Sequence, residues 1–269
     1  MLLREKFWLW GHPEGWYNNS YGNTKASRMT PMEACLYLGI TNTFMVPDGD
    51  HVNVQVNRRQ YNKSFKTLQH VGWEFGHAFQ DANGDTSGVD LFLEDAKEFP
   101  NISCVVFDDF IVRKGFQASI EETNQFHEKF RNNDVKRLDT WMVLYTKEYG
   151  LDEAADQAMM PYLAAFDGII MWTWEEKDVH LIPEKFERLK KLAPGKRFMF
   201  GCYLWNFGEH KEATAEAVKW QLDWYRERIL AGEAEGVVFH TNTMADLDYE
   251  SYDAAVAWME EHGDEEIPD

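Results

Sequence analysis

The sequence predicts a single α/β domain built as a closed (β/α)8 barrel, and three observations lead there. Eight apolar runs alternate with helix-like runs at intervals of roughly 30 residues, the length of one strand and its crossover. Most of those runs are continuously apolar rather than half polar, as strands in a parallel sheet covered on its faces are. The chain is 269 residues long, the size of one such barrel, and carries no linker or internal repeat beyond the βα unit. An open doubly wound sheet is the rival architecture, yet no run is followed by a G-x-G-x-x-G or G-x-x-x-x-G-K-[ST] phosphate loop. The predicted TIM barrel spans residues 1–263. An acidic tail, residues 264–269, is expected to be frayed and solvated.

Phe7 to Gly11 (FWLWG) is the first strand and opens into a polar loop, HPEGWYNNSYGN. Thr30, Pro31 and Glu33 supply an N-cap, a first-turn proline and an early acid, and Gly39 stops the helix they start. Strand two is Ile40 to Val46, leaving through PDGDH, and a helix follows over Asn57 to Val71. Strand three reads Trp73 to Phe79 (WEFGHAF), with Gln80, Asp81 and Asn83 at its exit. A helix over Val89 to Phe99 is broken by Pro100, and strand four runs from Ile102 to Val112 (ISCVVFDDFIV). Ser119 with Glu122 three positions on is a capping box, which opens a helix reaching Asn132. Strand five is Asp139 to Tyr145, followed by a helix over Asp152 to Phe166. Strand six, Gly168 to Trp174, exits through Glu175 and Glu176, and the helix Pro183 to Leu192 is closed by Pro194 and Gly195. Strand seven, Arg197 to Trp205, exits through Asn206. A helix over Thr214 to Ala231 stops at Gly232, strand eight is Gly236 to His240, and Ser251 to His262 closes the chain.

Composition narrows the function classes. Asp and Glu number 46 against 27 Lys and Arg, a net charge of −19, which argues against nucleic acid and an anionic membrane as partners. No run reaches the roughly 18 apolar residues of a membrane span. MLLREKFWLW is charged too early for a signal peptide, which favours a cytoplasmic location. Cys35, Cys104 and Cys202 are odd in number and widely spaced, so buried free thiols are expected and neither a disulfide framework nor a zinc knuckle. Aromatics make up 15% of the chain, enough to line a sugar groove as well as to fill a core. Nothing in the sequence specifies an oligomer.

Working residues of such a barrel stand where strands end, and the strand exits here are rich in polar chemistry. In order they offer His12 and Glu14; Asp48, Asp50 and His51; His77 and Asp81; Asp108 and Asp109; Tyr145 and Lys147; Glu175 and Glu176; Tyr203, Trp205 and Asn206; His240 and Asn242. The strand starts offer Gly, Ile, Trp and Arg. Two ionised groups ending a buried strand must be paired, solvated or functional, and Asp108 and Asp109 do so after ISCVVF. Strict alternation along the strand sends these two to opposite faces, with one entering the barrel mouth. The plain alternatives are loop capping or pairing with Arg113 and Lys114.

Carboxylates on separate strands, flanked by aromatic rings, are what glycosidic bond cleavage needs: one protonates the leaving oxygen and one attacks or activates water. Asp108 or Asp109 on strand four and Glu175 or Glu176 on strand six are the catalytic candidates. His12, Trp16, His77, Tyr145, Trp172, Trp174, Tyr203, Trp205, Asn206, His240 and Asn242 are candidates for holding an oligosaccharide or glycoside. No metal or other cofactor is called for by this chemistry. The stretches VVFDDF, IIMWTWEE and GCYLWNFGE resemble strand ends of barrel glycoside hydrolases. That resemblance implies an Asp nucleophile at strand four and a carboxyl acid/base at strand six. It departs from the group with Asn-Glu on strand four and Glu on strand seven, since Asp-Asp stands here and strand seven ends in Trp205 and Asn206. Two rival functions are a metal-dependent hydrolase using His12, His77, Asp109 and His240, and a sugar-binding barrel without turnover.

Overall fold

Apolar runs that can satisfy their backbone groups only by pairing do so here in parallel, and the sheet closes on itself. The structure of the protein, a computed structural model, describes residues 1–47, 53–75, 87–111 and 119–268. The barrel strands are β1 (Phe7–Gly11), β2 (Asn42–Met45), β3 (His70–Glu74), β4 (Ile102–Phe107), β5 (Asp139–Tyr145), β6 (Gly168–Trp172), β7 (Arg197–Tyr203) and β8 (Gly236–His240). Each pairs with its neighbours in sequence, and β8 returns to β1 with Phe7 opposite Val237 and Trp10 opposite His240. The helices are α1 (Pro31–Leu38), α2 (Asn53–Ser64), α3 (Ser87–Glu98), α4 (Ile120–Arg131), α5 (Glu153–Ala165), α6 (Ile182–Leu192), α7 (Ala215–Leu230) and α8 (Glu250–His262). No helix among the described residues is long and apolar enough to cross a membrane.

The caps read from the sequence form. Thr30 Oγ1 accepts the Glu33 N–H at 3.3 Å while Glu33 Oε2 accepts the Thr30 N–H at 2.8 Å. Ser119 and Glu122 repeat the arrangement at α4, at 3.2 and 2.8 Å. Gly39 ends α1 in the left-handed region at φ 67°, which a side chain would disfavour. All three cysteines are buried free thiols.

Interior rings are accommodated by glycines on the next strand. Gly72 faces Phe44, Gly168 faces Trp141 and Gly201 faces Trp172; a Cβ at these glycines would stand only 2.5, 2.2 and 1.9 Å from the ring concerned. Strand three begins earlier than expected: His70–Glu74 is the strand, and it includes only the first two residues of WEFGHAF. The preceding helix accordingly stops at Ser64 and a 3-10 turn runs to Thr67, short of the expected Val71. His77, Gln80, Asp81 and Asn83 lie outside the described residues, as do Asp48, Asp50, His51, Arg113 and Lys114.

Strands β4, β6 and β7 stop short of their expected ends, at Phe107, Trp172 and Tyr203, and after β4 the chain enters a turn at once. Trp205–Asn206 instead pairs antiparallel with Lys211–Glu212 as a small ribbon. The tail is not frayed over its described part. Glu265 binds Arg226 through two bonds of 2.6 Å, Asp264 binds Arg4 at 2.7 Å, and Ile267 N–H donates to the Met1 carbonyl at 2.9 Å. Paired charges and a backbone bond hold what a run of like charges alone would have left loose.

Candidate active site at the strand ends

Side-chain alternation decides what faces the barrel axis. Phe7 packs outward on Trp258 of α8 with ring centroids 5.6 Å apart, so Trp8 and Trp10 point inward. Trp10 meets Trp172 edge-on at 5.5 Å across the barrel. Phe239 lies against Phe7 at 5.3 Å, and the next residue, His240, turns in against Tyr203 at 5.0 Å and Trp172 at 5.8 Å. Above this aromatic layer the strand ends open into a cavity of about 650 Å³, counted to its solvent mouth.

Asp108 and Asp109 both line this cavity, against the expectation that only one would. Alternation stops applying because β4 ends at Phe107, whose ring packs outward on Phe166 at 5.2 Å. The chain then turns, with Asp109 in the left-handed region at φ 49° and its N–H donating to Asp108 Oδ1 at 2.9 Å. A non-glycine residue held there marks a backbone shaped around its side chain.

Tyr145 from β5 and Tyr203 from β7 form the wall beside these carboxylates. Burial pushes both phenols well above their usual range, and the charges of Asp108 and Asp109 push the same way. Both therefore stay protonated and act as uncharged donors and acceptors. Trp174, just past β6, stands edge-on to both phenols at 5.9 and 5.6 Å. The Lys147 ammonium lies over the Trp174 and Tyr145 rings at 4.9 and 5.2 Å, a cation–π placement.

The loop after β1 supplies the opposite wall. His12 Nδ1 is 2.8 Å from the Val46 carbonyl, which can only accept, so Nδ1 carries a proton. In the neutral ring Nε2 keeps a lone pair, 3.4 Å from the Tyr17 hydroxyl. Trp16 stacks on His12 at 6.0 Å and 13°. Burial drives His240 far below its usual range, with His12 adding to the effect, so this ring is neutral. The peptide between His240 and Thr241 is cis.

Three other residues expected to hold a ligand have partners within the protein. Asn242 Oδ1 accepts the His12 N–H at 2.7 Å and its Nδ2 donates to the His12 carbonyl at 3.0 Å, which fixes the His12 backbone. Trp205 Nε1 donates to the Tyr21 carbonyl at 2.9 Å and its ring packs on Tyr249 at 5.0 Å. Asn206 Oδ1 accepts the Glu209 N–H at 3.2 Å within the turn of the small ribbon.

The strand-six carboxylates also stand apart from the cavity wall. Glu176 accepts the N–H and the hydroxyl of Thr214 at 2.8 and 3.1 Å, and Thr214 is the N-cap of α7. Glu175 pairs with Lys177 and packs against Gly208. Loop geometry takes these acids away from the mouth: Trp174 still lines the cavity, and the chain then turns into a 3-10 helix that starts at Glu176.

Four positions were not singled out from the sequence. Tyr17 and Tyr21 line the cavity from a loop that reads simply as polar. Glu74, 3% exposed, is the last residue of β3 and was hidden by the late placement of that strand. Glu148 lies in the turn after β5, where its Oε2 accepts the Tyr145 N–H at 2.7 Å. Burial raises its carboxyl to about 7, and Asp109 pushes in the same direction. The only sequence signal for it is an acid three positions beyond the last strand residue.

Among the described residues no three His, Cys, Asp or Glu side chains stand together as a metal site. His12 has one ring nitrogen committed to Val46, and His77 of the expected metal set lies outside the described residues.

No family profile matches the sequence, and no characterised protein resembles it closely enough in sequence to count as a relative. Solved structures do share its fold. Active domain 2 of a thermostable chitinase from Pyrococcus furiosus, in catalytic-site mutants complexed with chito-oligosaccharides, superposes with a TM-score of 0.62 at 12% identity, covering 96% of each chain. Tryptophan synthase from M. tuberculosis matches in its open form at a TM-score of 0.50 and 14% identity, covering 95% of this chain and 90% of that one. A ligand-free mutant form of the same enzyme gives 0.51 at 13%, covering 94% and 92%. Likeness at such identities is a likeness of fold. The chain is thus a TIM barrel that resembles a glycoside hydrolase in fold, with a carboxylate-bearing aromatic cavity at the ends of its strands.

Proposed function

We propose that the protein is a glycoside hydrolase-like enzyme that takes a glycoside or oligosaccharide into the strand-end cavity and cleaves a glycosidic bond beside Asp108 and Asp109. The observation that carries this reading is that both carboxylates line one cavity whose remaining wall is Trp, Tyr and His rings with Val46. Aromatic faces such as Trp16 and Trp174 suit the apolar face of a sugar ring, and the phenols and imidazoles suit its hydroxyls. A carboxyl group at the glycosidic oxygen gives it a proton as the bond to the sugar carbon breaks, a neighbouring carboxylate stabilises the positive charge on the sugar ring, and water adds to that carbon and returns a proton to the acid. The strand-six partner expected from the sequence has no part in this reading, because Glu175 and Glu176 are engaged with Lys177 and Thr214.

The test is turnover of a panel of aryl glycosides and of chito-, cello- and malto-oligosaccharides. Wild type should turn over one member, Asp108→Asn and Asp109→Asn should each lose that activity, and Glu175→Gln and Glu176→Gln should keep it. Turnover that persists in both aspartate variants refutes the assignment. The missing strand-six carboxylate also favours a second reading, a sugar-binding barrel without chemistry. It would show as equal sugar binding by wild type and all four variants with no turnover.

A further inference from the structure

The turn after β5 buries a carboxyl that the proposed chemistry leaves unused. Glu148 Oε2 accepts the Tyr145 N–H at 2.7 Å, and the Glu148 N–H returns to the Tyr145 carbonyl at 2.9 Å. Its other oxygen, Oε1, is buried without a hydrogen-bond partner. An ionised oxygen in that position costs far more than a neutral one, so the geometry itself favours the protonated acid. The titratable groups facing it are Asp109 from the loop after β4, and Lys147, Tyr145 and Tyr149 from its own turn. Asp109 opposes a second negative charge. Lys147 favours one, but its ammonium is drawn over the rings of Trp174 and Tyr145. The two phenols stay protonated, because burial and the neighbouring acids push both upward.

We propose that Glu148 is a positioning residue: as a neutral acid it holds Tyr145 in the cavity wall, and on losing its proton to water its unpartnered Oε1 must be solvated, which, together with repulsion by Asp109, draws the carboxylate outward against the pull of the Tyr145 N–H and loosens that wall. Its consequence for ligands rests on the reading of the cavity as a sugar site. Its structural part does not.

The experiment follows the Glu148 carboxyl carbon and the Tyr145 amide by NMR in the full chain from about pH 5 to about pH 9, a span wide enough to separate a perturbed from an ordinary carboxyl. Expected is one transition near neutrality shared by both nuclei. Its midpoint should fall in Asp109→Asn, and the Tyr145 amide should cease to move in Glu148→Gln. A Glu148 midpoint in the usual carboxylate range, or a Tyr145 amide that still titrates in Glu148→Gln, overturns the proposal. In a second arm chitotetraose is the probe. If only the neutral form binds, wild type should bind it about tenfold more weakly near pH 8 than near pH 6, and Glu148→Gln equally at both. A tenfold difference that survives in Glu148→Gln also overturns it. Failure of chitotetraose to bind at any pH counts against the sugar reading, and the NMR arm then decides the role of Glu148 alone.

Discussion

The exits of β4 and β6 carry the same sequence feature, two adjacent carboxylates after an apolar strand. After β4 the chain makes a tight turn with Asp109 in the left-handed region, and both acids stay at the cavity. After β6 it enters a 3-10 helix, and Glu176 is spent on the N-cap of α7 while Glu175 meets Lys177. What separates the two is the backbone path of the next few residues and the arrival of Thr214 from 38 positions downstream. Paired acids at a strand exit therefore stay at the cavity only where the following loop keeps them there.

The largest expected effect lies on the β4 side. Asp108→Asn or Asp109→Asn should lower kcat by about a thousandfold, within the range for removing a proton-transferring group, while the β6 variants Glu175→Gln and Glu176→Gln stay within about threefold. Equal losses at both exits would erase the contrast. Next is the one contribution β6 does make to the cavity, its ring. Gly201→Ala places a methyl 1.9 Å from the Trp172 ring, and overpacking of this kind should cost about 1–3 kcal/mol in denaturant unfolding and weaken ligand binding. An unchanged unfolding midpoint would mean that β7 has room to yield. Smaller still is Glu176→Ala, which should lose about 0.5–1 kcal/mol of stability, as a helix-cap contact does, with any turnover by the folded protein unaltered.

The last effect is one of pH. Glu148 has a folded-state carboxyl raised to about 7, so the folded chain holds a proton that the unfolded chain has released. Its contribution to stability is fully present below the ordinary carboxylate range and is lost as pH rises through about 7. Wild type should thus lose stability relative to Glu148→Gln between mildly acidic and mildly alkaline solution. A constant difference between the two unfolding curves would contradict this.

Much of the architecture is legible in the sequence because it rests on local signals. Apolar runs, the capping boxes at Thr30 and Ser119 and the stop at Gly39 act within a few residues of themselves. Asp108 and Asp109 are found for the same reason, as acids where an apolar strand stops. What is illegible depends on distant chain. Strand three is defined by its pairing with β2 and β4, strands that start some 28 and 32 residues away in the chain. The engagement of Glu176 turned on Thr214, and the tail was held by Arg4 and Arg226. Glu148 escaped notice because its burial comes from surrounding structure and not from its own neighbours in sequence.

The link between Asn242 and His12 has one more consequence. It spans 230 residues and ties the loop after the last strand to the backbone that follows the first. The His12 amide can therefore meet solvent only when the seam between β1 and β8 parts or Asn242 lets go. Its rate of hydrogen–deuterium exchange becomes a clock for the opening of the ring: slow and tracking global unfolding if the seam is the strongest joint, fast and local if the barrel breathes there.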